Sequence, residues 1–265
     1  RPGQESAGQR GWERNEGRGV EKGTVKDSAI EGLKLWAEGK CTNQKSWDEL
    51  VGADIETCDY GLAHNIGPGW ATKKGFVTGI ALSKGNWSEY FPFRHPDTKN
   101  LNMEHVKFRL NELFSSNTPI VFHNAPYDIG WLHMDLGLSP PRNLNDSMGA
   151  VFTIDESSPG FSLNKCGERF LGEVKDERGL EDAAQAYGVD PKAEMWKMPA
   201  SEVGAYAEED AALTLELWHL FKKIIIEEDL QNIFNLETDL FPCLVDMRHL
   251  GVRVDIEKAS QLKIA

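Results

Sequence analysis

Residues 51–58 read Val-Gly-Ala-Asp-Ile-Glu-Thr-Cys, a short apolar run that carries two acids. Alternate side chains of a β-strand lie on the same face, so Asp54 and Glu56 are predicted to share one face and the apolar side chains the other. Two carboxylates this close repel each other unless a cation lies between them, which favours a site for a hard divalent metal ion. A solvated strand edge is the alternative explanation of the same pattern.

The composition bounds the class of protein. A chain of 265 residues with 40% hydrophobic residues can bury the core of one large domain. Its apolar runs are too short to span a bilayer and its first residues do not resemble a signal sequence, so no membrane partner is expected. The four cysteines form no CxxC pair, which argues against a zinc ribbon or a disulfide framework and favours a reducing setting.

The net charge of −13 at first argues against a nucleic-acid partner, because phosphate binding normally requires a basic surface. Residues 1–50 contain nine basic and nine acidic side chains, so the whole excess of acid lies beyond them. An acidic site that binds Mg²⁺ can nevertheless meet a phosphate, because the ion reverses the local field. The charge alone therefore does not exclude nucleic acid.

The order of the predicted elements indicates an α/β fold. After the acidic strand, residues 76–83 and 87–93 are predicted strands joined by a hairpin turn, and residues 118–124 form a fourth strand. Helical periodicity is found in residues 104–114, 126–136, 146–154, 163–171, 180–187 and 200–227. Strands made early and helices made later predict a mixed sheet flanked by helices.

The two ends of the chain differ from its middle. Residues 1–25, rich in Gly, Arg, Glu and Gln, are predicted to be disordered, and residues 28–39 are predicted to form an amphipathic helix. The chain starts with Arg1 and stops at Ala265 inside a predicted helix. We therefore expect it to be a fragment of a longer protein.

Further acids lie at two other predicted elements. Asn124 suits the N-cap of the helix after the fourth strand, and the helix dipole favours Asp128 in its first turn, so both residues have a structural explanation. Ligands commonly bind at the carboxyl ends of strands in open sheets, which is the functional alternative. Tyr206 and Asp210 are four residues apart and hence neighbours on one helix face, where small apolar neighbours favour a buried acid.

Taken in order, these residues form three motifs, namely Asp54-x-Glu56 on a strand, Asn124-x-x-x-Asp128 at a strand-to-helix junction and Tyr206-x-x-x-Asp210 on a helix. The pattern resembles that of the DEDD 3′-5′ exonucleases, in the subclass with tyrosine in the third motif. In finer detail the chain is similar to the proofreading domain of family A DNA polymerases, through residues 146–148, 162–171 and 206–217.

The resemblance implies a domain organisation. The expected fold is ribonuclease H-like, with a helical C-terminal extension. Residues 237–255 are similar to the helix and turn that lead into the polymerase domain of that family. We therefore expect a disordered segment at 1–25, an exonuclease domain at 26–225 and the start of a polymerase domain at 226–265, with the rest of that domain following in cis.

The resemblance also implies a metal-dependent site. It assigns two divalent ions, Mg²⁺ or Mn²⁺, and implies that Asp54, Glu56 and Asp210 hold the ion that carries the attacking water. Asp54 bridges to the second ion, which Asp128 helps to hold through water. Tyr206, whose unperturbed pKa is about 10, is a poor base and is expected to orient the water together with Glu56.

The implied substrate is a single-stranded 3′ end of DNA, such as a primer terminus. Asn124 is expected to contact the terminal nucleotide, and Tyr60 and Leu62 are candidates to stack against or wedge the last base, with ordinary core packing as the alternative. Binding through backbone and stacking predicts little sequence preference. The expected location is the cytoplasm of a bacterial or phage-infected cell.

Two other functions fit parts of the pattern. A free-standing nuclease of the RNase D or Werner type is the nearest alternative, and the polymerase-like segment 237–255 argues against it. A catalytically silent exonuclease fold that serves as a scaffold or DNA-binding module is the other, and the presence of all four acids argues against that. Residues 190–199 match no pattern and have no assigned role.

Overall fold

The computed structural model describes residues 50–96 and 98–264. The disorder predicted for residues 1–25 and the helix predicted for residues 28–39 lie outside these residues. No helix within the two described segments is both long and apolar enough to cross a membrane.

A five-stranded mixed sheet forms the centre of the fold. Its strands are β1 (Val51–Asp59), β2 (Gly75–Lys84), β3 (Trp87–Pro92), β4 (Pro119–Phe122) and β5 (Asn143–Asp146). They lie in the order β3-β2-β1-β4-β5; β1, β2 and β3 are antiparallel neighbours, whereas β4 runs parallel to β1 and to β5. The predicted mixed sheet is confirmed, including the hairpin between β2 and β3.

The helices cover both faces of this sheet. They are α1 (Tyr60–Ala63), α2 (Gly69–Thr72), α3 (Met103–Ser115), α4 (Ala125–Leu136), α5 (Ser147–Ile154), α6 (Leu163–Cys166), α7 (Arg178–Tyr187), α8 (Ala200–Glu227), α9 (Gln231–Leu250) and α10 (Ile256–Ile264). A π-helical turn, Gly167–Leu171, continues α6, and a 3₁₀ turn, Met195–Lys197, precedes α8. Every helix predicted between residues 104 and 227 is confirmed to within a few residues.

Strand β5 is the main element that the sequence analysis missed. Its four residues read Asn-Leu-Asn-Asp and offer one apolar side chain, so their local pattern does not indicate a strand. The edge of β4 supplies the hydrogen-bonding partner, with Ile120 paired to Leu144. Asp146 was predicted to open a helix; it ends β5 and caps α5, which starts one residue later.

Strand β1 separates two environments, as the alternation in its sequence predicts. The odd-numbered residues from 51 to 55 belong to the apolar core beneath α3 and α4. Gly52 lies against α8 so closely that a Cβ there would be 2.4 Å from the carbonyl oxygen of Ala211. Because Asp54 and Glu56 have the same parity as Gly52, β1 directs its acids toward α8.

Helix α9 packs against α4 and α5, the helices that follow β4 and β5. Its residues Phe234 and Val245 are buried in the two main cores. Burying apolar side chains in this way fixes α9 on the sheet domain. The domain boundary placed between residues 225 and 226 stays a prediction.

Gly52→Ala is expected to lower the free energy of unfolding by roughly 1–3 kcal/mol, because the added methyl group meets a backbone oxygen that cannot rotate away. Gly179→Ala in α7 is the matched control, since a Cβ there meets nothing within 4 Å. That control is expected to be neutral or stabilising, because alanine favours helix. Denaturant unfolding of both variants checks the prediction, and equal stabilities would contradict it.

Candidate active site

Strand β1 and helix α8 bring three acids into one buried site. Asp54 and Glu56 are half-buried on β1, beyond the two residues that pair with β4, and Asp210 on α8 is buried. Burial, and next the charge of Asp210, raise the pKa of Asp54 well above its usual value. Burial, followed by the charges of Asp54 and Asp210, does the same to the pKa of Glu56. The three carboxyls therefore influence one another's ionisation.

Asp128 joins these acids from the first turn of α4. It is buried, and its carboxyl accepts a hydrogen bond from the backbone N–H of Ile55 on β1. That N–H lies past the short pairing with β4, so the carboxyl replaces a missing strand partner. Burial, then the charges of Asp54 and Asp146, raise the pKa of Asp128 well above its usual value. The structure thus places Asp128 beside β1 and within the field of Asp54.

The start of α4 is held by an aspartate rather than by the side chain of its N-cap. Asn124 occupies the N-cap position with φ 73° and makes no side-chain capping bond. Its backbone N–H donates to Asp146 Oδ1 at 2.8 Å, and the same oxygen accepts from Met148 N at 3.1 Å. Asn124 lines a cavity of about 400 Å³ together with Phe152 and Phe241. Its amide group is thus not used for capping.

Tyr206 is a hydrogen-bond donor in this site. It is half-buried on α8, and its hydroxyl donates to the carboxyl of Asp210. Burial raises the pKa of Tyr206 far above its usual value, and the charges of Asp210, Glu56 and Asp54 act in the same direction. The phenol therefore keeps its proton near neutral pH, and the expected role of Tyr206 stays a prediction.

A lysine that the sequence analysis did not identify is buried among these acids. The side chain of Lys175, from the segment between the π-helical turn and α7, is 1% exposed and forms an ion pair with Asp210. Its Nζ donates to the carbonyl oxygen of Tyr206 at 3.4 Å and lies 3.2 Å from the centre of the Tyr206 ring. Its positive charge lowers the pKa of Asp54 and of Glu56, against the larger effect of burial.

The chemistry of this site fits a cation. The four acids offer only carboxylate oxygens, which hard divalent ions prefer, and the buried ammonium of Lys175 is a positive charge already accommodated beside them. Across residues 50–96 and 98–264, no three His, Cys, Asp or Glu side chains are gathered into a set of metal ligands. Asp210 is directed to Lys175 instead. The four carboxylates therefore suit a metal ion, but that of Asp210 is paired with Lys175.

An exposed aromatic surface lies next to the carboxyl end of β1. Tyr60 and Leu62 on α1 are 45% and 51% exposed, so the alternative that they are core residues is wrong. Trp196 contacts Tyr60 and Phe76 edge-on, with ring centroids 6.2 and 5.9 Å apart. Trp196 lies in the segment 190–199, to which the sequence analysis gave no role.

His123 fixes the end of β4 beside the site. Its Nε2 lies 2.8 Å from the carbonyl oxygen of Phe161, and its Nδ1 lies 2.8 Å from Ser147 Oγ. Because a carbonyl oxygen only accepts, Nε2 carries the proton that is donated to Phe161. Burial lowers the pKa of His123 to about 4, although the bond to Phe161 acts in the opposite direction.

Solved structures with the same fold include nucleases and a DNA polymerase. Brucella melitensis NrnC with bound Mg²⁺ aligns with a TM-score of 0.56 at 14% identity, over 79% of this chain and 90% of that protein. Pol1 of M. smegmatis, in complex with a DNA primer-template and dNTP, also aligns with a TM-score of 0.56, at 16% identity, over 80% of this chain and 30% of that protein. The expected ribonuclease H-like exonuclease fold is confirmed.

Sequence comparison then gives the family. A family profile described as 3′-5′ exonuclease, from family A DNA polymerases, matches residues 70–226. The chain belongs to this 3′-5′ exonuclease family. The matched range includes Asp128, Tyr206 and Asp210 and starts after Asp54 and Glu56.

Two polymerases illustrate the relationship. A DNA-directed DNA polymerase of Pseudomonas phage M6 is 34% identical over 236 residues, which are 86% of this chain and 35% of that protein. DNA polymerase I of Borreliella burgdorferi is 25% identical over 184 residues, which are 68% of this chain and 19% of that protein. The chain thus spans about a third or less of the length of these relatives.

The low pKa of His123 predicts a loss of stability in acid. A base whose folded pKa of about 4 lies below its unfolded value of 6.5 binds fewer protons when folded. Its contribution is therefore complete above pH 6.5 and is lost as the pH falls toward 4, by at most about 3 kcal/mol. Urea unfolding between pH 4 and 7 is expected to show a steeper loss in the natural protein than in His123→Gln. Parallel curves would contradict the assignment.

Proposed function

We propose that this chain removes nucleotides from single-stranded DNA 3′ ends by metal-dependent phosphodiester hydrolysis. The observation that carries the proposal is the meeting of acids from β1, α4 and α8 in one buried site. Burial raises the pKa of each of these acids, and neighbouring carboxyls raise it further at Asp54, Glu56 and Asp128, so a bound cation would relieve a cost that the fold imposes. Family membership indicates the reaction, which is 3′-5′ exonuclease hydrolysis. The site contains the carboxyl groups that we propose bind the metal ions.

Each group has a proposed part in hydrolysis. Asp54, Glu56 and Asp210 would hold one Mg²⁺ or Mn²⁺ ion, and Asp54 with Asp128 the other. Such ions lower the pKa of a bound water and stabilise charge on the leaving 3′ oxygen. The hydroxyl oxygen of Tyr206, whose proton is donated to Asp210, would accept a hydrogen bond from the attacking water and orient it together with Glu56, which would accept another.

The aromatic surface and the N-cap of α4 would position the substrate. Tyr60 and Leu62 are exposed beside β1, where the last base can stack on them, and Trp196 supports Tyr60 from the side. The side-chain amide of Asn124 makes no capping bond and can reach a nucleotide. Stacking on aromatic rings tolerates any base, so little sequence preference is expected.

The role of the whole protein is a second part of the proposal. Relatives such as the polymerase of Pseudomonas phage M6 are about three times as long as the part matched by this chain. We propose that this chain is the proofreading part of such a polymerase and acts on primer termini in a bacterial or phage-infected cell. The exonuclease and polymerase parts would then divide near residue 226.

Nuclease activity is tested with a 5′-labelled single-stranded oligonucleotide and Mg²⁺. A ladder that shortens from the 3′ end is expected, and EDTA is expected to abolish it. Asp54→Ala combined with Glu56→Ala is expected to lower the rate by at least about 10²-fold, because groups that stabilise transition-state charge are lost.

The matched control removes two acids from elsewhere in the chain. Glu181→Ala combined with Asp182→Ala changes the net charge equally at exposed positions of α7 and is expected to keep full activity. An RNA oligonucleotide of the same sequence tests the RNase D-like alternative. Nuclease activity that survives loss of Asp54 and Glu56 would overturn the assignment.

Tyr60→Ala is expected to raise the KM for single-stranded DNA by about tenfold with little change in kcat, since stacking of one base contributes about 1–3 kcal/mol. Steady-state kinetics on the labelled oligonucleotide measure both constants. Tyr187→Ala is the control, because Tyr187 is 49% exposed at the end of α7 and has no proposed part in binding. An unchanged KM in Tyr60→Ala would remove Tyr60 from the substrate surface.

A further inference from the structure

We infer that Lys175 is a built-in counter-ion of the acidic site, whose ammonium group occupies the site in the absence of metal and leaves it when a divalent ion binds. The inference rests on the proposed metal dependence and concerns how the site changes between its two states. It assigns a role to a residue that belongs to none of the three acidic motifs.

The position of Lys175 suits this role. Its side chain is 1% exposed, and its Nζ pairs with the carboxyl of Asp210 above the ring of Tyr206. A buried ammonium group is costly unless it is paired and hydrogen-bonded, and here the carboxyl and a backbone carbonyl do both. The positive charge of Lys175 also stabilises the ionised form of the acids, because it offsets part of their mutual repulsion.

Lys175 and a metal ion would compete for Asp210. In the present arrangement Oδ1 of Asp210 accepts from Lys175 Nζ, and no complete set of metal ligands is formed in the described part of the chain. An ammonium group and a divalent ion on one carboxylate would repel each other strongly in a site of low dielectric. Binding of the ion therefore requires Lys175 to withdraw, which frees Asp210 as a ligand.

The structure also offers Lys175 a second position. A small cavity of about 130 Å³ is lined by Lys175 itself and by three acids, Glu173, Glu209 and Glu216. The segment 172–177 has no regular secondary structure, and the four-carbon stem of lysine is flexible, so a rotamer change can carry the ammonium group there. The charge would move from one group of carboxyls to another, in a cavity that Val174, Ala212 and Leu213 also line.

A different role for Lys175 makes the opposite prediction. If the ammonium group served to contact a phosphate of the substrate, its removal would weaken DNA binding and leave metal affinity unchanged. If it served only to stabilise the fold, its removal would destabilise the protein equally with and without metal. Metal affinity measured without DNA therefore separates the counter-ion role from both.

The experiment is a calorimetric titration of Mg²⁺ into the natural chain, Lys175→Met and Lys222→Met. Lys222 is exposed on α8, so its variant controls for the change in net charge. Lys175→Met is expected to bind Mg²⁺ at least about tenfold more tightly than the natural chain, because no ammonium group has to be displaced. Lys222→Met is expected to match the natural chain, and Lys175→Arg, which keeps the charge, is expected to bind no more tightly.

Thermal unfolding adds a second readout. In EDTA, Lys175→Met is expected to melt at a lower temperature than the natural chain, and Mg²⁺ is expected to remove that difference. Should Lys175→Met fail to fold, Glu216→Gln decides the question. This variant removes a carboxylate from the cavity into which Lys175 is proposed to withdraw. Withdrawal becomes less favourable, so Mg²⁺ binding is expected to weaken severalfold.

Unchanged or weaker Mg²⁺ affinity in Lys175→Met overturns the inference, as does unchanged affinity in Glu216→Gln when the lysine variant cannot be measured. Absence of Mg²⁺ binding by the natural chain and by Lys175→Met also overturns it. The titration needs neither DNA nor turnover. A chain that binds Mg²⁺ in this pattern but cuts no DNA would defeat the proposed function and leave the counter-ion role standing.

Discussion

Carboxylates on facing surfaces of β1 and α8 repel one another, and the packing of the two elements holds them together against that repulsion. Asp54, Glu56 and Asp210 each have a pKa above the usual value, with burial as the largest cause. Such a cluster is tolerated only if positive charge can reach it. Among the described residues, Lys175 places its positive charge on the carboxyl of Asp210. The rest of the site can be understood from this need for a cation.

The packing that imposes the repulsion depends on small residues. Gly52 allows the backbone of α8 to approach β1, and Ala207 and Ala211 belong to a compact cluster with Ala81 and Tyr90. Larger side chains at these positions would hold α8 away from the sheet. The distance between the acids of β1 and Asp210 is thus set by residues that carry no charge. Stability and chemistry are coupled at this contact, because a change that relaxes the packing also separates the acids.

The same contact divides the site into a rigid part and an adjustable part. Asp128 is fixed by its bond to the backbone of β1, and Asp146 secures the start of α4. Lys175, by contrast, comes from a segment without regular secondary structure. Fixed acids beside a lysine on an irregular segment are the arrangement that the proposed exchange of Lys175 for a metal ion requires, because the acids need not be reorganised each time.

Family membership and local geometry contribute different information. The family profile identifies a 3′-5′ exonuclease and the sequence relatives are DNA polymerases, while structures at 14–16% identity establish the fold alone. The aromatic surface of Tyr60 and Trp196 and the lysine at the acidic site are properties of this chain.

The sequence by itself determined the elements whose residues follow a regular period. The alternation in residues 51–58 fixed which face of β1 carries the acids, the hairpin followed from its turn residues, and the spacing of Tyr206 and Asp210 placed both on one side of α8. Strand β5 was not predicted from the sequence, because its polar residues acquire a strand partner only when β4 is already in place. The place of Lys175 in the site was not predicted either, because its neighbours in the sequence are charged and resemble a solvated loop. Lys175 becomes buried only when α8 packs over β1. Long-range contacts of this kind leave no local sequence pattern from which they could be predicted.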